Sequence, residues 1–123
     1  MRTKKILIVE DDKKIRTRIS EMLSDHTVDY AEDGNQGITK ISSNQYDLII
    51  TDHHMPNLSG VEMLEYFDGR GSKTPVIMCT TECDPNLKSR GSSAGVNYWV
   101  IKPFNILGFY NLITDIFREK PLY

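Results

Sequence analysis

Cysteine is scarce in this chain, with two in 123 residues, and there is one tryptophan and five prolines. The two thiols, Cys79 and Cys83, form a lone C-x3-C pair, which supports neither a disulfide scaffold nor a zinc centre with four ligands. Cys79 lies in an apolar run and reads as a buried free thiol, and Cys83 reads as a loop thiol. No hydrophobic run exceeds a few residues, so no membrane-spanning helix is expected. The N-terminus passes from a basic tip directly into a strand-like run, without the hydrophobic core of a signal peptide, and the expected location is cytoplasmic. A large charge of one sign is also lacking. Fifteen Lys and Arg against seventeen Asp and Glu leave −2, and the only basic cluster is Arg2, Lys4 and Lys5, read as a solvated terminus. Direct nucleic-acid binding is therefore not expected.

What remains is the composition of one globular domain with a real core, expected to span residues 1–123. Strand-like and helix-like patterns alternate along it. Ile6 to Val9 is an aliphatic run, and Ile15, Ile19, Met22 and Leu23 recur at helical spacing. Thr27 to Ala31 is a weaker strand, Asp33-Gly34 a turn, and Ile38 and Ile41 mark a short helix. Leu48 to Thr51 is a third strand. Ser59 is placed to cap a helix with Val61, Leu64 and Phe67 on its core face and Glu62 at capping-box spacing. Pro75 to Thr80 is the fourth strand. Asp84-Pro85 begins a helix weakened by Gly91, Ser92 and Ser93, and expected to be labile; Gly95 ends it. Tyr98 to Ile101 is the fifth strand, and the last helix runs from Ile106 to Lys120, where Pro121 stops it. Five βα units imply a parallel sheet covered by helices on both faces.

Chemistry in such sheets is placed at the carboxyl ends of the strands. Glu10-Asp11-Asp12 closes the first strand and Asp52 the third. Asp12 reads as a helix cap. Glu10 and Asp11 would converge on Asp52, and acids that converge either raise one another's pKa or hold a cation. An all-oxygen set suits Mg²⁺ or Mn²⁺. Thr80-Thr81 closes the fourth strand and Lys102-Pro103 the fifth. Alone, such a threonine more often caps a helix and such a lysine is merely exposed. Beside the carboxylates they supply a hydroxyl and a second positive charge, an inventory suited to phosphoryl transfer.

VEDD at the first strand end, D-x-x-M-P-x-x-x-G from Asp52 to Gly60, Thr80, and KPF from Lys102 to Phe104 occur in that order. Together they resemble the receiver domain of two-component response regulators, the chemotaxis-type fold, over essentially the whole chain. The resemblance implies a single flavodoxin-like (βα)5 domain with strand order 2-1-3-4-5. It implies that Asp52 accepts a phosphoryl group from a histidine-kinase phosphohistidine or a small phosphodonor. Asp11, Asp52 and the backbone carbonyl of His54 would bind Mg²⁺, with Glu10 acting through water. Lys102 would pair with the carboxylate and then the phosphoryl oxygens, Thr80 would turn toward the phosphoryl group, and Trp99 would occupy the switch aromatic position. The Lys102-Pro103 peptide would be cis. A sensor histidine kinase or phosphotransfer protein would be the donor.

The chain departs from the family pattern at several positions. His54 and Glu82 border the path of water to the acceptor and would tune dephosphorylation. Thr81 stands where a small residue is usual and could narrow the phosphoryl pocket; Trp99 is bulkier than the usual Tyr or Phe. Plain core packing is the other reading of Trp99, and Tyr98 alternates to the opposite side of its strand. Adjacent His53 and His54 are expected to point apart, which disfavours a zinc or nickel site. The last helix carries Ile106, Leu107, Phe109, Tyr110, Leu112, Ile113, Ile116 and Phe117, a wider apolar stripe than one sheet contact needs. A partner or homodimer surface formed with the fourth helix and fifth strand is the sharper explanation. The chain reads as a stand-alone regulator or as a receiver from a longer protein.

Three other functions compete. A haloacid-dehalogenase-type aspartyl hydrolase would carry a D-x-D after its first strand and a substrate cap, and neither is present. A flavin or nucleotide binder would need a phosphate loop where Glu10-Asp11-Asp12 would repel phosphate. A degenerate receiver acting as a constitutive interaction module stays open through Thr81 and Trp99.

Overall fold

The computed structural model describes residues 2–67, 73–82 and 84–118. Cys83, Lys120 and Pro121, and the expectations attached to them, lie outside the described residues. Five strands, β1 Lys5–Val9, β2 Thr27–Ala31, β3 Leu48–Asp52, β4 Val76–Thr80 and β5 Tyr98–Ile101, alternate with five helices. The helices are α1 Lys13–Met22, α2 Gly34–Ser43, α3 Gly60–Glu65, α4 Pro85–Ala94 and α5 Ile106–Phe117. The sheet is parallel throughout, in the flavodoxin-like order β2-β1-β3-β4-β5.

Strand alternation divides the aliphatic runs between two cores. Leu7, Val9, Ile49, Val76 and Met78 face Val61, Met63, Leu64 and Leu87 of α3 and α4, with Ile38 and Ile41 of α2 packed alongside. Ile6, Ile8, Leu48, Ile50, Ile77 and Cys79 face Ile19 of α1 and Phe109 and Ile113 of α5. Strands covered on both faces must be apolar at nearly every position, and β3 and β4 are buried along their whole length.

Local signals set most helix starts. Asp12 accepts hydrogen bonds from the backbone of Lys14 and Ile15 and caps α1, as expected. Ser59 and Glu62 complete a capping box on α3, and Asp84 caps α4 with Pro85 following. Gly95 ends α4 at φ 114°, a left-handed conformation that disfavours any side chain. Asp33 proves to be the cap of α2, which begins at Gly34 itself. In α3 the expected core residue Phe67 falls beyond the helix, which ends at Glu65, and Met63 is the buried residue instead. The last helix runs to Phe117, with Arg118 as its cap. No helix among the described residues is long and apolar enough to cross a membrane.

Candidate functional site

The register brings the strand ends level. Val9 is opposite Thr51, Asp52 opposite Cys79, and Thr80 opposite Ile101. The next residues therefore share one edge: Glu10 beyond β1, Asp52 closing β3, Thr81 beyond β4 and Lys102 beyond β5. Asp52 is buried, with 7% of its surface exposed, and Glu10 more so at 3%. Lys102 Nζ donates to Asp52 Oδ2 at 3.0 Å and to Glu10 Oε2 at 3.2 Å. The Lys102-Pro103 peptide that carries this lysine into the site is cis.

Electrostatics follow from the crowding. Burial, then the nearby charge of Asp52, raises the Glu10 pKa to about 7, although Lys102 works the other way. Burial alone would lower the Lys102 pKa, but Asp52 and Glu10 outweigh it and the lysine is held above its ordinary value. Glu10, Asp11 and Asp52 each offer an oxygen within 4.8 Å of the others, and Asp11 is the exposed member. Among the described residues this is the only such convergence of possible metal ligands. Three carboxylates facing one lysine leave negative charge uncompensated, and the donors are all hard oxygens. The set fits Mg²⁺ or Mn²⁺.

Around this centre, the amide of His54 donates to Asp52 Oδ1 at 3.3 Å. Thr80 is fully buried, and its Oγ1 accepts a hydrogen bond from the amide of Glu82 at 3.1 Å. Thr81 is exposed. His54 Nε2 meets Glu82 Oε1 at 2.8 Å, joining the loops after β3 and β4. The imidazoles of His53 and His54 do not point apart: their rings meet edge to face with centroids 4.9 Å apart. Strand alternation no longer governs them, because β3 ends at Asp52. They gather no third ligand among the described residues. Burial, and then His54, lowers the His53 pKa. Trp99, half-buried and paired in register with Met78, packs toward α4.

Sequence reasoning missed two residues. Gly91 is the seat of Trp99: a Cβ on it would lie 2.6 Å from the indole Cζ2. Arg16 donates to the backbone carbonyls of Glu10 and Asp11. A helix-weakening glycine and a helix arginine carry no local sign of either contact.

On the outer side, Leu107 and Tyr110 of α5 and Tyr98 and Ile101 of β5 remain exposed, Leu107 by 67%. The unusually wide apolar stripe of α5 is thus only partly consumed by the core.

Comparison with known proteins agrees with this geometry. The family model for the response regulator receiver domain matches residues 6–114. Protein RcaC of Microchaete diplosiphon is 37% identical over 94% of this chain, which spans 18% of that protein. The response regulator ArlR of Staphylococcus saprophyticus is 35% identical over 95% of this chain, which spans 54% of its length. Among solved structures, chemotaxis protein CheY4 of Vibrio cholerae superposes with a TM-score of 0.85 at 31% identity, covering 94% of this chain and 99% of that one. Response regulator TrrA of Thermotoga maritima, in complex with Mg²⁺-BeF, gives 0.79 at 29% identity, covering 93% of this chain and 99% of that one. With its model matched from β1 into α5 and the acid pocket assembled at the strand ends, this chain belongs to the response regulator receiver domains.

Proposed function

We propose that Asp52 is a phosphoacceptor whose phosphorylation switches the face formed by α4, β5 and α5, with residues 1–123 acting as one receiver unit. The observation that carries this is the 3.0 Å contact between Lys102 Nζ and Asp52 Oδ2 inside a pocket of three convergent carboxylates. A carboxylate attacks a phosphoryl dianion poorly, because both are negative. Lys102 supplies fixed positive charge where the phosphoryl oxygens arrive. Asp11, Asp52 and the His54 carbonyl would hold Mg²⁺, or Mn²⁺, directly and Glu10 through water; the bound cation supplies charge neutralisation for the transferring group. Asp52 forms the new O–P bond as the donor nitrogen of a kinase or phosphotransfer histidine leaves with the bonding pair. The adduct places about −1.5 to −2 charge at the end of β3.

That charge recruits Thr80. Its hydroxyl oxygen is occupied by the amide of Glu82. Turning the hydroxyl to donate to a phosphoryl oxygen releases that amide and disturbs the loop into α4, against which Trp99 rests. The switched face exposes Tyr98, Ile101, Leu107 and Tyr110, which suits an output partner or a second copy of the chain. The domain does no more catalysis than its own phosphorylation and slow dephosphorylation. A cytoplasmic location follows from the proposed kinase partner. The rival reading as a constitutive module leaned on Thr81 and Trp99; Thr81 is exposed and Trp99 packs toward α4.

Incubation with Mg²⁺ and acetyl phosphate, or a beryllofluoride mimic, tests the proposal by intact mass and Trp99 fluorescence. The expected result is a phosphoryl adduct with acetyl phosphate and an emission change with either reagent, both lost in Asp52→Ala. No adduct, or one that survives Asp52→Ala, overturns it. Turnover of many generic phosphate esters would instead indicate a hydrolase.

A further inference from the structure

Arg16 belongs to the first turns of α1, yet its side chain is only 11% exposed. Nη1 donates to the backbone carbonyl of Glu10 at 2.8 Å and to that of Asp11 at 3.2 Å. The guanidinium lies over the ring of Tyr30, 5.0 Å from its centroid, and Nη2 is 3.9 Å from Glu32 Oε1. Tyr30 is in β2 and Glu32 follows that strand. One side chain therefore ties α1, the end of β1 and the end of the edge strand together.

We propose that Arg16 is a positioning residue for the cation site, clamping the two peptide units that aim the Glu10 and Asp11 carboxylates at Asp52. This rests on the reading of those three acids as the cation site. Carboxylates brought within 4.8 Å of one another repel, and the loop bearing two of them needs an outside restraint to keep them converged. Asp12 supplies one restraint by capping α1, with Oδ1 2.8 Å from the Lys14 amide. Lys102 supplies a second at the Glu10 carboxylate, and Arg16 a third, on the carbonyls of Glu10 and Asp11. Arg16 bonds carbonyl oxygens and so occupies neither the Glu10 nor the Asp11 carboxylate itself. Nη1 reaches both carbonyls while the planar guanidinium lies over the Tyr30 ring, a flat contact that the compact ammonium of lysine does not reproduce.

Calorimetric titration with Mg²⁺ tests this on the wild type, Arg16→Ala, Arg16→Lys, Tyr30→Leu and Asp52→Asn. Loss of an outer partner of a metal ligand weakens binding by about 10-fold or more, and that is the expectation for Arg16→Ala. Arg16→Lys is expected to lose as much, and Tyr30→Leu less but in the same direction. With acetyl phosphate, the Mg²⁺ concentration for half-maximal phosphorylation rises by the same factor, while the rate at saturating Mg²⁺ is unchanged. A merely structural role would lower the melting temperature without moving that half-saturation point. Unchanged Mg²⁺ affinity in folded Arg16→Ala, or full rescue by Arg16→Lys, overturns the clamp. If Arg16→Ala fails to fold, Tyr30→Leu decides, since it removes only the stacking surface, and unchanged affinity there overturns the clamp. Wild-type protein that shows no Mg²⁺ binding sensitive to Asp52→Asn overturns the cation-site reading itself.

Discussion

His54 Nε2 lies 2.8 Å from Glu82 Oε1, and the pair bridges the loops after β3 and β4 beside the Asp52 carboxylate. Both side chains are about half exposed, so the pair contributes roughly 0–1 kcal/mol to stability. On the proposed phosphoacceptor role of Asp52, a closed bridge would limit the approach of water to its acyl phosphate. Removing either partner, in His54→Ala or Glu82→Ala, is expected to shorten the lifetime of the phosphorylated form several-fold with little change in melting temperature. Decay of the adduct followed by intact mass checks this, and equal lifetimes in all three proteins would contradict it.

Gly91 and Trp99 give a stability prediction whose sign opposes helix propensity. Alanine in place of a helical glycine ordinarily gains about 1 kcal/mol. Here its Cβ would lie 2.6 Å from the indole of Trp99, and overpacking of this kind costs about 1–3 kcal/mol. Gly91→Ala is therefore expected to lower the urea midpoint and to shift the emission of the single tryptophan. Trp99→Phe in the Gly91→Ala background should recover the midpoint, read by circular dichroism. Stabilisation by Gly91→Ala alone would show that the indole has room to withdraw.

Glu10 makes the cation-free protein sensitive to mild acid in an unusual direction. Its pKa is raised from 4.5 to about 7, so between those values the folded chain binds a proton that the unfolded chain has released. Stability then falls as pH rises through that window. Urea midpoints measured in EDTA from pH 4.5 to 7.5 should show this slope, and Glu10→Gln should flatten it. A wild-type profile as flat as that of the variant would argue that Glu10 is not held protonated.

Mg²⁺ should relieve the same crowding. A ligand at a hundredfold its Kd stabilises the folded state by about 2.7 kcal/mol when it does not bind the unfolded chain. Saturating Mg²⁺ is expected to raise the melting temperature of the wild type and to have little effect on Asp52→Asn. Scanning calorimetry with and without the cation measures both, and an equal rise in the two proteins would place the bound ion elsewhere.

Much of the fold was legible because its signals are local. β2 and β5 match their expected bounds, since alternation and flanking turns are written within a few residues. The caps at Asp12, Ser59 and Asp84 were readable for the same reason. Phe67 was misassigned because apolar spacing continues past the point where α3 stops, and nothing local marks that stop. His53 and His54 were misread because strand alternation was carried past Asp52, where β3 ends.

Sequence by itself determined the strand-end chemistry: acids at Glu10, Asp11 and Asp52, a hydroxyl at Thr80, an ammonium at Lys102. Each closes an apolar run, and the period of that run is a property of adjacent residues. Only the tertiary structure decided what these groups meet. Parallel register set Asp52, Glu10 and Lys102 within hydrogen-bonding reach, although Asp52 and Lys102 are 50 residues apart in the chain. It also paired His54 with Glu82, seated Trp99 on Gly91, and turned Arg16 inward to the carbonyls of the acid loop. Contacts of that kind depend on the packing of separate elements, and no periodicity within a single element encodes them.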